Sequence, residues 1–325
     1  MQEDPVLKVE DLKTHFFTRS GVVKAVDGIS FEVAKGETLG IVGESGSGKS
    51  MTAWSILGLV PQPTGKIIGG KIMYHGEDLL QKDESEMREI RGKGICMVMQ
   101  DPLTSLNPVF TIGNQLIESL KMDSKESKAT LIQKAIQLLT NVRIPAPESR
   151  LSVYPHQMSG GMRQRVVGAI AMSRAPSVLI ADEPTTSLDA TIQLQYLRLL
   201  KEIQAETGAA ILFITHDFGV VARMCDRVAV MYAGKIVEQA SVLELFDNPQ
   251  HPYTEALLKS VPNLDEDVEF LPSIEGQPPT LDNLPEGCAF APRCPYAFDK
   301  CNVYPDEFSV DKDHVASCWR LDSAN

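Results

Sequence analysis

Residues 43–50 fit the pattern G-x-x-x-x-G-K-[ST] and lie between an apolar run and a helical pattern. The run 38–42 predicts a buried strand, and the segment from Lys49 onwards predicts a helix. Glycines let a backbone wrap closely around a phosphate, while N–H groups at a helix start point at the anion. The sequence therefore predicts a nucleotide site made of Gly43, Glu44, Ser45, Gly46, Ser47, Gly48, Lys49, Ser50 and Met51.

The last two residues of this loop have distinct predicted roles. Lys49 supplies a mobile positive charge for the β- and γ-phosphates of ATP, and the Ser50 hydroxyl is a ligand for Mg²⁺. An ordinary glycine-rich turn that matches by chance is the alternative. The strand before the loop and the helix after it disfavour that alternative.

Two carboxylates lie at the end of a second apolar run, 178–182 (VLIAD), namely its last residue Asp182 and the next residue Glu183. Ligands of open α/β sheets lie beyond the carboxyl ends of the strands, which is where Asp182 and Glu183 are expected. Asp182 can hold Mg²⁺ through water, and Glu183 can orient or deprotonate the attacking water. Solvated carboxylates at a strand end are the alternative, but a phosphate site also needs a partner for Mg²⁺.

The remaining patterns predict the organisation of the chain. Runs 209–215 and 227–232 are further buried strands, and their alternation with helical patterns to about residue 250 indicates an α/β domain. Helical periodicity without strand signals predicts a helical subdomain inserted at about 101–165. After residue 248, proline is frequent and strand alternation is not recognisable. We therefore expect a first domain over 1–248 and an extension over 249–325.

Composition narrows the classes of function. The formal net charge of −12 and the lack of a Lys/Arg-dense segment disfavour nucleic acid as a partner. No run of about 18 uninterrupted apolar residues occurs, and the start MQEDPVLKVE has no features of a secretory signal. We therefore expect any membrane role to depend on partner proteins. Cys96 and Cys225 lie in apolar stretches and are predicted to be buried thiols.

The segment 154–162 (YPHQMSGGM) precedes the second carboxylate motif by about 20 residues and resembles the signature of ABC transporter ATPases. The resemblance covers about residues 6–245. It implies a P-loop NTPase fold of the ABC nucleotide-binding type, with the helical subdomain inserted in the α/β core. Gln100 resembles the Q-loop glutamine, 187–189 (SLD) resembles the D-loop with Asp189, and His216 resembles the switch histidine.

The same resemblance implies how these residues act. Gln100 would sense the γ-phosphate through Mg²⁺ or water, and His216 would contact the γ-phosphate. The turn formed by Ser159, Gly160 and Gly161 would meet the γ-phosphate held by a second cassette, so that ATP binding closes a dimer. The flanks depart from the common L-S-G-G-Q pattern, because Met158 and Met162 replace the leucine and the glutamine.

An aromatic residue that stacks on adenine is expected in this family near the end of the first strand. Phe16 and Phe17 are suitably placed, and the alternative for each is a place in the core.

The segment 248–258 (NPQHPYTEALL) is similar to the region that follows the cassette in ATPases of dipeptide, oligopeptide and nickel importers. This resemblance implies a second, similar but different ATPase subunit, two transmembrane permease subunits and an extracytoplasmic solute-binding protein. It also implies a location at the cytoplasmic face of the membrane. The alternatives are an importer of nickel or another solute, a soluble ABC ATPase without a transport role, and a small-molecule P-loop kinase. A kinase has no use for the signature.

Four cysteines are crowded into the extension with the spacing C-x5-C-x6-C-x16-C, namely Cys288, Cys294, Cys301 and Cys318. In a chain without an export signal, such a group suggests metal or cluster ligation before disulfides. No C-x2-C pair of a zinc ribbon is present. The sequence favours a [4Fe–4S] cluster, which some ATPases of the resembling importers hold in a similar tail. Zn²⁺, or thiols that are unligated or form disulfides, remain alternatives.

Overall fold

The structure is a computed structural model that describes residues 4–99, 105–122, 124–186, 188–261 and 273–322. The chain divides into two compact units, residues 1–82 with 213–325 and residues 83–212. Gln100 and Ser187, which the sequence assigns to the Q-loop and the D-loop, lie outside the described residues. Within the described ranges, no helix is long and apolar enough to cross a bilayer.

The first unit begins with an antiparallel sheet. Its strands, in the spatial order β2-β1-β4-β5, are β1 (Leu7–Thr18), β2 (Gly21–Val33), β4 (Gly65–Tyr74) and β5 (Glu77–Asp78). Strand β1 alternates between buried and more exposed positions, with Leu7, Val9 and Leu12 in the core. This period of two matches a sheet with one packed face. The sequence analysis did not predict this sheet.

A second sheet of this unit holds the phosphate loop. Its strands are β3 (Thr38–Val42), β8 (Ala210–Thr215), β9 (Arg227–Tyr232), β10 (Lys235–Ser241), β11 (Phe308–Asp311) and β12 (His314–Ala316), in the order β11-β12-β10-β9-β3-β8. Strand β8 begins in the second unit and ends in the first. Strands β3 and β9 are parallel, and every described residue of β3 is buried, as the sequence predicts.

The extension contributes two strands, although no strand alternation is recognisable in its sequence. Strand β12 pairs with β10 through Glu238 and Gln239, and β11 pairs with β12. These strands have three and four residues, which is too short for a recognisable alternation. The helices of the first unit are α1 (Lys49–Ile56), α8 (Phe218–Met224), α9 (Val242–Asp247) and α10 (Pro252–Lys259).

The second unit is mainly helical. Its helices are α2 (Glu84–Ile90), α3 (Ile112–Lys121), α4 (Lys128–Asn141), α5 (Pro147–Arg150), α6 (Gly160–Met172) and α7 (Ala190–Thr207). Two parallel strands, β6 (Ile95–Val98) and β7 (Val178–Asp182), complete it together with the start of β8. The predicted strand 178–182 is confirmed. The amphipathic helix α4 buries Leu131, Ala135 and Leu139, at the spacing of one helical face.

Short 3₁₀ helices complete the described structure, at Leu79–Gln81, Pro155–Gln157, Ala291–Arg293, Asp299–Asn302 and Trp319–Leu321. Of the two thiols predicted to be buried, Cys225 is buried, whereas Cys96 is only half-buried.

Candidate functional site

The phosphate loop owes its path to glycines at two close approaches. Gly43 and Gly48 have φ values of 151° and 106°. A Cβ on Gly43 would lie 2.1 Å from the Met231 carbonyl oxygen, and a Cβ on Gly48 would lie 2.2 Å from the Ala25 carbonyl oxygen. Both distances are far below van der Waals contact, so no larger residue fits this backbone path.

Lys49 is folded back over the loop. Its side chain is buried, and Nζ donates hydrogen bonds to the carbonyl oxygens of Gly43 (2.7 Å) and Glu44 (2.9 Å). Helix α1 starts after Gly48 without a side-chain cap, and a helix start of this kind suits the binding of an anion. The Ser47 hydroxyl is buried and makes no hydrogen bond in the structure. An unpaired buried hydroxyl inside a glycine-rich loop fits a missing phosphate oxygen.

The first unit contains four further residues that were predicted to contact the nucleotide. Ser50 is exposed on the first turn of α1, and Met51 is half-buried. On β1, Phe16 is half-buried beside Gly65, whereas Phe17 is 46% exposed and has the Lys66 ammonium 5.8 Å from its ring centroid. The exposed ring of Phe17 has the greater free face.

Two residues of the C-terminal region contact Glu44 of the loop, and the sequence analysis assigned a role to neither of them. The Glu44 backbone N–H donates to the Tyr253 hydroxyl oxygen at 2.8 Å. Both terminal nitrogens of Arg293 donate to the Glu44 carboxylate, at 2.7 Å and 3.1 Å. These partners are 209 and 249 residues away in the chain, so no local pattern indicates them.

The predicted Mg²⁺ ligand Asp182 is the last residue of β7 in the second unit, and the predicted base Glu183 follows it. Asp182 is 5% exposed, and Glu183 is half-buried with a φ of 45°. This left-handed conformation is unusual for glutamate and is a form of backbone strain that occurs at functional sites. The Thr186 hydroxyl donates to Glu183 Oε2 at 3.0 Å, which holds the carboxylate in one orientation.

The signature turn of the second unit forms the start of helix α6. Ser159 is its N-cap, with Oγ accepting the Met162 N–H at 3.4 Å, and Ser159 and Gly160 are exposed. A Cβ on Gly161 would lie 2.6 Å from Ile192 Cγ2, so this glycine permits close packing on α7.

Asp189 and His216 both lie next to helix starts. Asp189 caps α7 by accepting the N–H groups of Thr191 and Ile192 at 3.1 Å and 3.0 Å. His216 is exposed directly after β8, one residue before Asp217, which caps α8.

The four cysteines of the extension line one cavity of about 20 Å³ together with Phe290 and Trp319, among others. The structure therefore brings Cys288, Cys294, Cys301 and Cys318 together, each half-buried. Burial raises the pKa of the Cys288 thiol to about 11, and it also raises the pKa values of Cys294 and Cys318.

Among the described residues, no group of three or more His, Cys, Asp or Glu side chains is arranged to hold a single metal ion. A zinc ion would hold its thiolates about 3.8 Å apart, given Zn–S bonds of about 2.3 Å. A four-iron cluster holds its thiolates farther apart, because a different iron atom binds each one. The structure places the four thiols around one cavity, and among the described residues they do not form a single-ion site.

The chain has a glycine-rich loop with a lysine between a strand and a helix, and a later strand ends at two carboxylates. These elements define a P-loop ATPase of the ATP-binding-cassette class. The family model described as "ABC transporter" matches residues 26–186, and the model of the "Oligopeptide/dipeptide transporter, C-terminal region" matches residues 237–301. The chain belongs to the ABC transporter family and is similar to its ATP-binding subunits.

Curated relatives extend this similarity over nearly the whole chain. The chain is 50% identical to "Probable peptide ABC transporter ATP-binding protein y4tR" of Sinorhizobium fredii, over 98% of this chain and 97% of the relative. It is also 50% identical to "Dipeptide transport ATP-binding protein DppD" of Bacillus subtilis, over 98% of this chain and 96% of the relative. "Oligopeptide transport ATP-binding protein OppD" of the same organism is 50% identical over 97% of this chain and 89% of the relative.

Solved structures show the same fold. The post-hydrolysis dimer of the ATP-binding cassette MJ0796 with ADP and Pi has a TM-score of 0.65 at 25% identity, covering 73% of this chain and 98% of that chain. CbiO1 of Clostridium perfringens, part of the cbiONQ transporter complex, has a TM-score of 0.65 at 28% identity, covering 76% and 92%. The chain is thus an ABC ATPase.

Proposed function

We propose that this chain is the ATP-hydrolysing subunit of an importer of dipeptides or oligopeptides. The observation that carries the proposal is identity of about half of all positions to named peptide-transport ATP-binding proteins, along nearly the full length of both chains. The match of residues 237–301 to the C-terminal region of oligopeptide and dipeptide transporters supports the same substrate class. Nickel or another solute is the alternative cargo.

The loop residues fit the binding of a triphosphate and Mg²⁺. Lys49 would exchange its two carbonyl contacts for the β- and γ-phosphates, and the start of α1 would add its N–H groups. The Ser50 hydroxyl and the Asp182 carboxylate are oxygen donors of the kind that Mg²⁺ prefers, with Gln100 as a further ligand. The metal ion would neutralise charge on the phosphates.

Hydrolysis needs a base and contacts to the γ-phosphate. Glu183, held by Thr186, would orient and deprotonate the attacking water, and His216 and Gln100 would contact the γ-phosphate side. Phe16 or Phe17 would stack on adenine, and of the two Phe17 offers more exposed ring surface.

A dimer would complete the site. Exposed donors at the start of α6, with Ser159, Gly160 and Gly161, suit contact with a γ-phosphate on a partner cassette, and Asp189 would lie at the same interface. ATP would favour the closed dimer because these contacts exist only there, and hydrolysis would release it. Two permease subunits at the cytoplasmic face of the membrane would convert this cycle into transport.

In this proposal, residues 1–248 are the ATPase domain, with a helical subdomain at about 101–165, and residues 249–325 are the extension. Affinity purification from native membranes tests the assembly. We expect two permeases, a second and different ATPase subunit, and a peptide-binding protein to co-purify. Isolation with translation or repair factors instead of permeases would contradict the transport role.

Uptake of labelled dipeptides in cells with this chain or with its Glu183→Gln variant tests the cargo. Uptake should require the unmodified chain, whereas nickel uptake should not depend on it. Dependence of nickel uptake alone would reassign the cargo.

For the four-cysteine cavity we propose a [4Fe–4S] cluster held by Cys288, Cys294, Cys301 and Cys318. Apolar and aromatic walls would shield such a cluster from solvent. Anaerobically purified protein should contain four iron atoms and four acid-labile sulfides per chain, and Cys288→Ser should lose them while Cys96→Ser keeps them. Equimolar zinc without iron would contradict the cluster.

A further inference from the structure

Glu44 introduces a negative charge into a loop that binds polyphosphate. Its side chain is 28% exposed, so solvent screens this charge only in part. A carboxylate without a partner at this position would repel the phosphates of a nucleotide. The chain must therefore neutralise Glu44 if the loop is to bind ATP tightly.

Arg293 is the partner of this carboxylate. Its side chain is 4% exposed and binds both carboxylate oxygens of Glu44, which is the strong bidentate geometry. Its other hydrogen bonds go to the Tyr232 hydroxyl oxygen and to the carbonyl oxygens of Ile274 and Glu275. These contacts fix the guanidinium before any nucleotide arrives.

Tyr253 fixes the backbone of the same residue. Its side chain is fully buried, and its ring centroid lies 4.5 Å from that of Tyr232 and 5.3 Å from that of Phe290. The Tyr253 hydroxyl oxygen accepts a hydrogen bond from the Glu44 N–H at 2.8 Å. His251 caps helix α10 by accepting the Tyr253 N–H, and burial lowers the pKa of this imidazole to about 3, which keeps it neutral.

We infer that Arg293 and Tyr253 are positioning residues for the phosphate loop, through which the C-terminal region sets the affinity of the chain for ATP. Arg293 cancels the charge of Glu44, and Tyr253 holds the backbone of Glu44 in place. This inference rests on the proposed nucleotide site at the loop, and it assigns part of that site's affinity to residues outside the loop.

Equilibrium titration of the full-length chain with Mg-ATP tests the inference. We expect Arg293→Gln to weaken ATP binding about tenfold at low salt, and the loss to shrink at high salt because salt screens the charge. Tyr253→Phe removes one hydrogen-bond acceptor and should weaken binding about threefold. The matched control is Arg320→Gln, which removes an arginine of the extension that pairs with Glu255 instead of the loop.

A double variant separates charge compensation from loosening of the extension. Glu44→Gln combined with Arg293→Gln should recover most of the affinity lost in Arg293→Gln, because no uncompensated carboxylate remains. Thermal unfolding of each variant checks that it is folded. A double variant as weak as Arg293→Gln, or Arg293→Gln equal to the unmodified chain, would overturn the inference.

Failure of the nucleotide site itself gives a different result. If the unmodified chain and Lys49→Ala bind Mg-ATP equally, the loop is not the nucleotide site and the proposed function fails. If Lys49→Ala loses binding while Arg293→Gln and Tyr253→Phe keep it, only the positioning role fails.

Discussion

Helices α1 and α6 both begin at turns proposed to bind the phosphates of ATP, yet the two starts are built differently. The start of α1 follows Gly48, which is in the left-handed region, and has no side-chain cap. The start of α6 has Ser159 as a cap and is exposed at Ser159 and Gly160. The start of α1 has the buried side chain of Lys49, whereas the start of α6 has the Ser159 hydroxyl and backbone N–H groups. The first is thus suited to bind nucleotide alone, and the second to respond to nucleotide on another cassette.

Glu183→Gln should have the largest effect and leaves both helix starts intact. Loss of the base should lower kcat for ATP hydrolysis by about 100-fold or more. Because the contacts to the phosphates remain, ATP should be retained and the closed dimer should accumulate. Phosphate release and size-exclusion chromatography measure the two effects, with Glu202→Gln as a surface control. Unchanged hydrolysis would remove Glu183 as the base.

Lys49→Ala in the Glu183→Gln background separates the two helix starts. Loss of charge-assisted hydrogen bonds should weaken ATP binding to the monomer on the order of 100-fold. Ser159→Ala in the same background should leave ATP binding to the monomer nearly unchanged and reduce ATP-driven dimerisation. Titration of dilute monomer and sedimentation at higher concentration measure these quantities. If both variants lose monomer binding equally, the division of roles between the helix starts is wrong.

Alanine in place of one glycine at each helix start tests how rigid the two starts are. Gly48→Ala would force a Cβ against the Ala25 carbonyl oxygen at positive φ, so it should lower the free energy of unfolding by about 2 kcal/mol. Nothing lies within 4 Å of a Cβ on Gly160, so Gly160→Ala should change this free energy by less than about 0.5 kcal/mol. Chemical denaturation measures both. Equal losses would contradict the difference in backbone constraint.

A loss smaller than that of Gly48→Ala is expected at Ser159, the cap of α6. Ser159→Ala removes the acceptor for the Met162 N–H and should lower the free energy of unfolding by about 1 kcal/mol, whereas Ser159→Asn keeps a capping oxygen and should lower it less. Because the chain has two units, unfolding is followed with a probe of the second unit. A loss several times larger would mean that Ser159 supports more than its helix.

The sequence predicted those parts of the fold and site that depend on residues close together in the chain better than those that depend on distant residues. Strands 38–42, 178–182 and 227–232 and the helix from Lys49 lie where the patterns placed them, since buried apolar runs and a glycine-rich turn are local signals. The antiparallel strands β1, β2 and β4 were missed because their alternation is interrupted by register shifts. Residue roles at the site stay predictions, including the role of Gln100, which lies outside the described residues.

Long-range contacts escaped the sequence analysis. In the sequence, Tyr253 is only one residue of the segment 248–258, and Arg293 has no predicted role, although both contact Glu44. The buried Glu238 was also missed. It accepts the N–H groups of Gln250 and His251 and pairs with His314 at 2.8 Å. These contacts join residues that are far apart in the chain. The periodicity of a sequence indicates local secondary structure and cannot indicate such contacts.

The pairing of β12 with β10 has a consequence for truncation. A chain shortened near residue 248 would bare the edge of β10, including the backbone groups of Glu238 and Gln239 that now face Ala316 and Val315. An unpaired edge strand of this kind can form hydrogen bonds with an edge strand of another molecule. The hairpin β11–β12 therefore protects the edge of β10. A chain truncated before this hairpin should be prone to self-association through the exposed edge strand.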